Sequence, residues 1–270
     1  MAQRDWDSGL YDRFGDERQR AAADLLAAIS GHAFSRITDL GCGSGLSTAL
    51  LARRWPEAAI TAIDTSADML AKAHERQPGP RYLQGNIAEF NPETPQDLLF
   101  ANASLHWLGD HDRLMPQLLC GLNPGGVLAL QMPDNLDEPS HRLMDDVARE
   151  QPFAEAIGTA PPRRHELLTP EAYYDALIPH CASINLWRTR YLHRLPNVDA
   201  IADWFASTGL KPYLDALPDS QRTAFRSRYV QRLADCYGVR ADGSVLLAMP
   251  RLFIVATTRP RTTTTGALTP

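Results

Sequence analysis

Residues Ile37 to Gly45 read Ile-Thr-Asp-Leu-Gly-Cys-Gly-Ser-Gly, an acid followed by three glycines at alternate positions. A short run able to form a strand, Arg36–Leu40, precedes the glycines, and an amphipathic run, Ser47–Arg54, follows them. Strand, glycine turn and helix start in that order make a loop that a ligand can approach closely. Glycine has no Cβ and tolerates a positive φ, and the helix start offers unpaired N–H groups and the positive end of a dipole. A dinucleotide loop would space its glycines Gly-x-Gly-x-x-Gly. Here the pattern is Gly41-x-Gly43-x-Gly45 with Asp39 before it, which fits S-adenosylmethionine (SAM), whose methionine end carries an ammonium that a carboxylate helps hold. An ordinary glycine-rich turn is the competing reading of the nonapeptide alone.

Further positions fall into line with that loop. Ala59–Ile63 reads as a second strand closed by Asp64, about twenty residues on, where a carboxylate accepts hydrogen bonds from ribose hydroxyls in nucleotide folds. Thr65 and Met69 follow it, at the start of a helix over Ser66–Arg76. Arg81–Gln84 leads to Gly85-Asn86-Ile87, where an adenine would be flanked. Asp97–Ala101, a buried strand in pattern, opens into Asn102-Ala103-Ser104-Leu105-His106-Trp107. Ligands of open α/β sheets bind outside the carboxyl ends of strands, so these positions should converge.

The elements that must position them alternate β and α, hence a parallel sheet. Leu114–Leu122 reads as a helix, Asn123–Gly126 as a turn and Val127–Gln131 as the fifth strand. The pattern then loosens: Met132–Pro139 is loop-like, Ser140–Glu150 helical, Gln151–Pro170 rich in proline and charge, and Glu171–Leu177 helical. Ala182–Leu195 alternates as a strand, with Trp187, Thr189, Tyr191 and His193 on one face and Arg188, Arg190 and Arg194 on the other. Val198–Asp235 is helical in pattern, interrupted at Thr208-Gly209 and Leu217-Pro218, before a last strand at Val245–Thr257. An insert of that length between strands far exceeds an ordinary loop and reads as a lid. The expected fold is α/β: a doubly wound, Rossmann-like, mostly parallel seven-stranded sheet with a helical cap inserted near the C-terminal strands. Its divisions are an N-terminal aromatic segment and helix (1–30), a SAM-binding core (31–133), cap elements (134–180), a core strand (181–195), a helical cap insert (196–244), a last core strand (245–258) and a disordered tail (259–270). Trp6, Tyr11 and Phe14 of the first segment would either pack on the core or fold over a ligand.

Bulk properties exclude several classes. The formal net charge of −5 opposes nucleic-acid binding, which wants a basic surplus. No stretch approaches the ~20 apolar residues that span a bilayer, and Met-Ala-Gln-Arg-Asp-Trp-Asp lacks a secretory h-region, so a cytoplasmic protein is expected. Cys42, Cys120, Cys181 and Cys236 are widely spaced, which suggests reduced thiols and no metal site. Cys42 lies in the glycine loop, but no His–Asx arrangement marks it as a nucleophile.

The chain resembles the trans-aconitate 2-methyltransferases, SAM-dependent enzymes that esterify one carboxylate of a small tricarboxylic acid. The likeness runs through Trp6, Tyr11-x-x-Phe14-x-x-Glu17-Arg18-x-Arg20, Asp39-Leu-Gly-Cys-Gly-x-Gly45 and the stretch Phe100 to His111. It continues in Gln131 to Asn135, Tyr173-Tyr174-Asp175, Trp187-Arg188-Thr189, Tyr191-x-His193, Thr208-Gly209-Leu210-x-Pro212 and Pro250 to Ala256. His106 stands where the family has a glutamine, and Ser44 where it has a proline. The resemblance implies cofactor contacts from Asp39, Gly41, Cys42, Gly43, Gly45, Asp64, Thr65, Met69, Asn86, Ile87, Asn102, Ala103 and Trp107. For the acid it implies Tyr11, His106, Trp107, Tyr173, Trp187, Tyr191, His193, Trp204 and Arg251.

The chemistry implied is in-line displacement at a sulfonium methyl. A carboxylate is already ionised at neutral pH, so neither a general base nor any other catalytic residue is expected. A polyanion instead needs cations and hydrogen-bond donors, and arginine's fork suits a carboxylate; Arg188, Arg190 and Arg251 are the candidates. Because alternation places Arg188 and Arg190 opposite Tyr191, the Trp187–Tyr191–His193 face with Arg251 as clamp is the favoured arrangement. Another small acid, an acyl-carrier-bound carboxylate, or a SAM-binding protein without turnover are the alternatives. No nucleic-acid or membrane partner is expected, and a monomer is compatible with everything above.

Overall fold

A computed structural model describes residues 15–158 and 165–260, with the side chains of 15–18 left aside. The aromatic segment containing Tyr11, residues 159–164 and the tail from 261 lie outside the described residues.

The first helix, α1, spans Gly15–Ala28. The βα repetition then runs β1 (Arg36–Leu40), α2 (Leu46–Arg54), β2 (Ala59–Asp64), α3 (Ala67–Arg76), β3 (Arg81–Gln84), β4 (Gln96–Asn102), α4 (His111–Cys120) and β5 (Leu122–Pro133). Single 3₁₀ turns lie at Ile87–Glu89 and Leu105–Trp107. The remainder is α5 (Pro139–Ala148), α6 (Phe153–Ile157), α7 (Pro170–Leu177), β6 (Cys181–Leu195), α8 (Asp199–Ala206), α9 (Lys211–Ala216), α10 (Asp219–Cys236) and β7 (Val245–Thr258).

The sheet order is β3-β2-β1-β4-β5-β7-β6. The pairs β1–β2, β1–β4, β2–β3 and β4–β5 are parallel, giving the seven-stranded, mostly parallel doubly wound sheet that the βα alternation predicts. The chain leaves β1 in opposite directions on its two sides, so a switch point lies between β1 and β4, with Asp39 level with Phe100. A crevice outside the carboxyl ends of two such strands is where open α/β sheets take ligands.

Two local readings need correction. The helix expected at Leu114–Leu122 is three residues earlier, starting at His111 after a left-handed Asp110, and it accommodates Pro116 in its interior. The turn expected at Asn123–Gly126 lies inside β5. Gln96 pairs with Leu122 and Leu98 with Val127, so Asn123–Gly126 stand opposite Asp97 alone. A side-chain bond from Asn123 Nδ2 to Asp97 Oδ1 (2.7 Å) and one from Thr258 Oγ1 to the Asn123 carbonyl (2.8 Å) hold this bulge. Such an insertion disturbs the ladder locally without ending the strand.

Two compact units result. The sheet unit takes Ala21–Met132, Leu167–Arg188 and the described part of Leu252–Pro270. Its core joins Leu40, Leu99, Ala101, Leu105, Leu128, Leu130, Tyr173, Leu177, Leu252 and Ile254, all buried. The second unit takes the described residues of Met1–Arg20, Pro133–Glu166 and Thr189–Arg251. Helices α5 and α10 pack there, with the Phe225 ring edge-on to Phe153 (5.2 Å) and the Tyr229 hydroxyl donating to the Ser140 carbonyl (2.7 Å). The division cuts β6 after Arg188 and leaves α7 with the sheet unit, rather than following element ends.

Candidate active site

Each glycine of the loop answers to a different constraint. All three have left-handed φ: 77° at Gly41, 52° at Gly43 and 83° at Gly45. A Cβ on Gly41 would lie 2.3 Å from the Ser104 Cβ, and one on Gly45 would lie 2.9 Å from both Cα and Cβ of Ala73. Those two glycines let the loop close on β4 and α3. A Cβ on Gly43 would meet nothing within 4 Å; its backbone faces open space, as a ligand-approaching position should. The N–H groups of Gly41 and Cys42 donate to the Ile63 carbonyl (2.8 and 2.9 Å), fixing the loop to β2.

Asp39 is wholly buried. Its Oδ2 accepts from Ser47 Oγ (2.7 Å) and Thr48 Oγ1 (2.6 Å), both in the first turn of α2, while its Oδ1 is buried with no hydrogen-bond partner. Burial pushes the carboxyl up to about 6, against the pull of the two hydroxyls, and neighbouring Asp64 adds to the rise. A buried carboxylate with one oxygen unsatisfied is poised to gain from a cation, which fits the ammonium of SAM. The reading of Ser47–Arg54 as an amphipathic run gave Ser47 and Thr48 no role; two hydroxyls eight and nine residues past an acid were the available signal.

Asp64 Oδ2 accepts from the Gly43 N–H (2.8 Å) and Oδ1 from the Ser66 N–H (2.9 Å). It therefore braces the glycine loop against the start of α3 and, with about four lone-pair sites on an ionised carboxylate, retains capacity for a diol. Ser66 caps α3 by accepting from the Met69 N–H (3.3 Å), and the exposed Thr65 carbonyl accepts from Gln84 Nε2 (2.9 Å). Asn86 Oδ1 caps the turn that carries buried Ile87, accepting from the Ala88 N–H (3.0 Å).

At the end of β4, Asn102 Oδ1 accepts from Gln131 Nε2 (2.9 Å), which turns the Asn102 amide so that its NH₂ points away from Gln131. Ala103 takes a left-handed φ of 53° and Ser104 Oγ donates to the Leu40 carbonyl (2.6 Å), locking the two strand ends together. Ser104 and Gln131 are positioning residues that strand patterning did not single out. His106 is buried and its ring lies 4.8 Å from that of Trp107, which is 45% exposed. Cys42 is buried, and burial with the charges of Asp39 and Asp64 pushes its thiol far up, away from nucleophilic use. Among the described residues no His/Cys/Asp/Glu cluster could hold a metal ion.

The positions expected to meet the acid are distributed more widely. In the sheet unit, Trp187 stacks on Phe253 (4.8 Å, 8°). Tyr173 is a core residue there: its hydroxyl bonds His111 Nδ1 (2.5 Å), and His111 Nε2 bonds the Leu105 carbonyl (2.9 Å). The carbonyl fixes the Nε2–H tautomer, so the tyrosine is the donor; Tyr173 supports the turn bearing His106 and Trp107 rather than presenting a hydroxyl at a surface. In the second unit, Tyr191, His193, Trp204 and Arg251 are all buried, and the His193 ring stacks with those of Trp204 (5.0 Å) and Tyr191 (6.2 Å). The arginines of the opposite β6 face are exposed, with Arg190 paired to Glu138 (3.2 Å) and Arg194 to Asp242 (2.9 Å). Burial, then the guanidinium groups of Arg251 and Arg20, push His193 down to about 4, so the ring is neutral at pH 7. Arg20, whose guanidinium lies 5.1 Å from the Tyr191 ring centroid, is a residue that the sequence reading left unassigned.

Comparison with known proteins agrees with this geometry. Residues 37–126 match the family model described as "Methyltransferase domain". Over 254 residues the chain is 50% identical to a trans-aconitate 2-methyltransferase of Paracidovorax citrulli, covering 93% of this chain and 98% of that protein. It is 48% identical over 252 residues to one of Rhodopseudomonas palustris, again covering 93% and 98%. Among solved structures, the YcgJ protein of a Bacillus superposes with a TM-score of 0.54 at 14% identity, covering 88% of this chain and 100% of that one. With half its residues shared along nearly the full length of such relatives, the chain belongs to the trans-aconitate 2-methyltransferase family.

Proposed function

We propose that the protein is a SAM-dependent carboxyl O-methyltransferase whose acceptor is one carboxylate of trans-aconitate. The observation that carries this reading is identity of 50% along 98% of a relative bearing that name, which extends through the second unit as well as the glycine loop. SAM supplies an electrophilic methyl on a sulfonium and a good leaving group. Asp39 would hold the methionine ammonium, the loop from Gly41 through Gly45, including Cys42, would admit the methionine end, and Asp64 with Thr65 would take the ribose. Met69, Asn86 and Ile87 would flank the adenine, while Asn102, Ala103 and Trp107 would border the methyl.

The protein's remaining task is to bring an ionised carboxylate in line with methyl and sulfur and to exclude water. Such positioning can supply ~7–11 kcal/mol of a barrier, and no proton has to be removed from the nucleophile. Arg251 is proposed as the clamp on the acid, with Tyr191, His193 and Trp204 around it and His106, Trp107, Trp187 and Tyr11 completing the acceptor contacts. Tyr173 is assigned a supporting role through His111. No helix among the described residues is long and apolar enough to cross a membrane, and with the acidic balance this supports a cytoplasmic enzyme acting on a free acid.

Methyl transfer from labelled SAM to trans-aconitate, cis-aconitate, citrate and isocitrate tests the assignment. Label should enter a base-labile ester, with trans-aconitate preferred at least tenfold in kcat/KM. Preference for another acid would overturn the substrate, and absence of turnover with SAM bound would overturn the enzyme reading.

A further inference from the structure

The second unit holds two guanidinium groups that bear on one neutral histidine. Arg251 is 6% exposed at the middle of β7, and the exposed Arg20 places its guanidinium carbon over the ring of Tyr191, which is parallel within 20° to that of His193. Among the described residues, the two charged groups that act on His193 are both cations, in a chain whose formal net charge is −5. A guanidinium laid on an aromatic ring uses its face and leaves its N–H edges to fork onto a carboxylate. Arg190 and Arg194 of the same unit do not compete for the role: they lie on the exposed β6 face and are paired with Glu138 and Asp242.

We propose that Arg20 is a substrate-binding residue, and that Arg20 and Arg251 together hold the two carboxylates of the acid that do not receive the methyl group. This rests on the tricarboxylate reading above. Two cations against two retained carboxylates leave the third without an arginine partner, and a carboxylate outside a bidentate ion pair is the better nucleophile. His193, held neutral first by burial and then by the same cations, adds a hydrogen-bonding edge without consuming the positive potential, and Trp204 stacks on its ring (5.0 Å).

The test compares wild type, Arg20→Gln and Arg20→Lys, with thermal melts as a folding control. Arg20→Gln should raise KM for trans-aconitate tenfold or more while KM for SAM stays within twofold, and Arg20→Lys should recover part of the loss. Wild type should prefer trans-aconitate over the dicarboxylate itaconate, and Arg20→Gln should narrow that preference. Unchanged KM for the acid, or an equal rise for acid and SAM, would overturn the proposal. If wild type methylates none of these acids, the functional reading itself has failed. Calorimetric binding of citrate then decides the subsite: tenfold weaker binding by Arg20→Gln upholds it, and equal binding, or none by wild type, overturns it.

Discussion

At the residue scale, the three glycines of the cofactor loop make separable demands. A Gly43→Ala side chain would meet open space and bear only the left-handed backbone penalty, about 1–2 kcal/mol. A Gly41→Ala side chain would bear the same penalty and also collide with the Ser104 Cβ, a strand-end neighbour that cannot swing aside. We expect Gly43→Ala to remain folded, with a urea midpoint slightly below wild type, yet to bind SAM at least tenfold more weakly because the new methyl occupies the ligand's approach. Gly41→Ala should lose several kcal/mol of stability before any ligand is added. Denaturation and calorimetric titration on the same two variants check both halves; wild-type SAM affinity in Gly43→Ala would show that the ligand does not approach there.

At the element scale, α4, α7 and the Leu105–Trp107 turn are joined by one buried polar relay, from the Tyr173 hydroxyl through His111 to the Leu105 carbonyl. Tyr173→Phe removes the hydroxyl that bonds His111 Nδ1 inside this buried relay, a cost of about 1–3 kcal/mol. The expected result is a lowered urea midpoint at unchanged m-value, and a variant as stable as wild type would show that the relay is dispensable. This relay also marks where sequence reading stops. Local pattern was enough for the strand–glycine–helix unit, for the breaks at Thr208-Gly209 and Leu217-Pro218 between α8, α9 and α10, and for the alternation of β6, whose arginines do face outward. Each depends on residues within a few positions of one another. Pairings across long stretches of chain left no local trace. Asn123–Gly126 looks like a turn until Asp97 and Thr258 bind it into a strand, Tyr173 looks like a surface hydroxyl until His111 meets it, and Arg20 looks like a helix surface charge until Tyr191 lies beneath it.

At the scale of the whole molecule, two buried ionisable groups act on stability with opposite signs. Asp39, pushed from 3.8 up to about 6, binds its proton more tightly in the folded chain. Its contribution is complete below about pH 4 and is lost as pH rises to 6, a change on the order of 3 kcal/mol. His193, pushed from 6.5 down to about 4, binds its proton more tightly in the unfolded chain. Stability therefore falls through His193 as pH drops from 6.5 to 4, by a similar amount. Between pH 4 and 6 the two slopes oppose, so wild type should show little net dependence from this pair. Asp39→Asn removes the first slope and leaves the second: the difference in unfolding free energy between variant and wild type should grow in the variant's favour as pH rises from 4 to 6. A difference that stays constant across that range would show that Asp39 does not titrate there. SAM sharpens the contrast, because its ammonium favours the ionised carboxylate: wild type should bind SAM more tightly as pH rises through 6, and Asp39→Asn should bind it weakly at every pH. Titration of both proteins at pH 5, 6 and 7 separates an acid that holds the cofactor from one that merely shapes the loop.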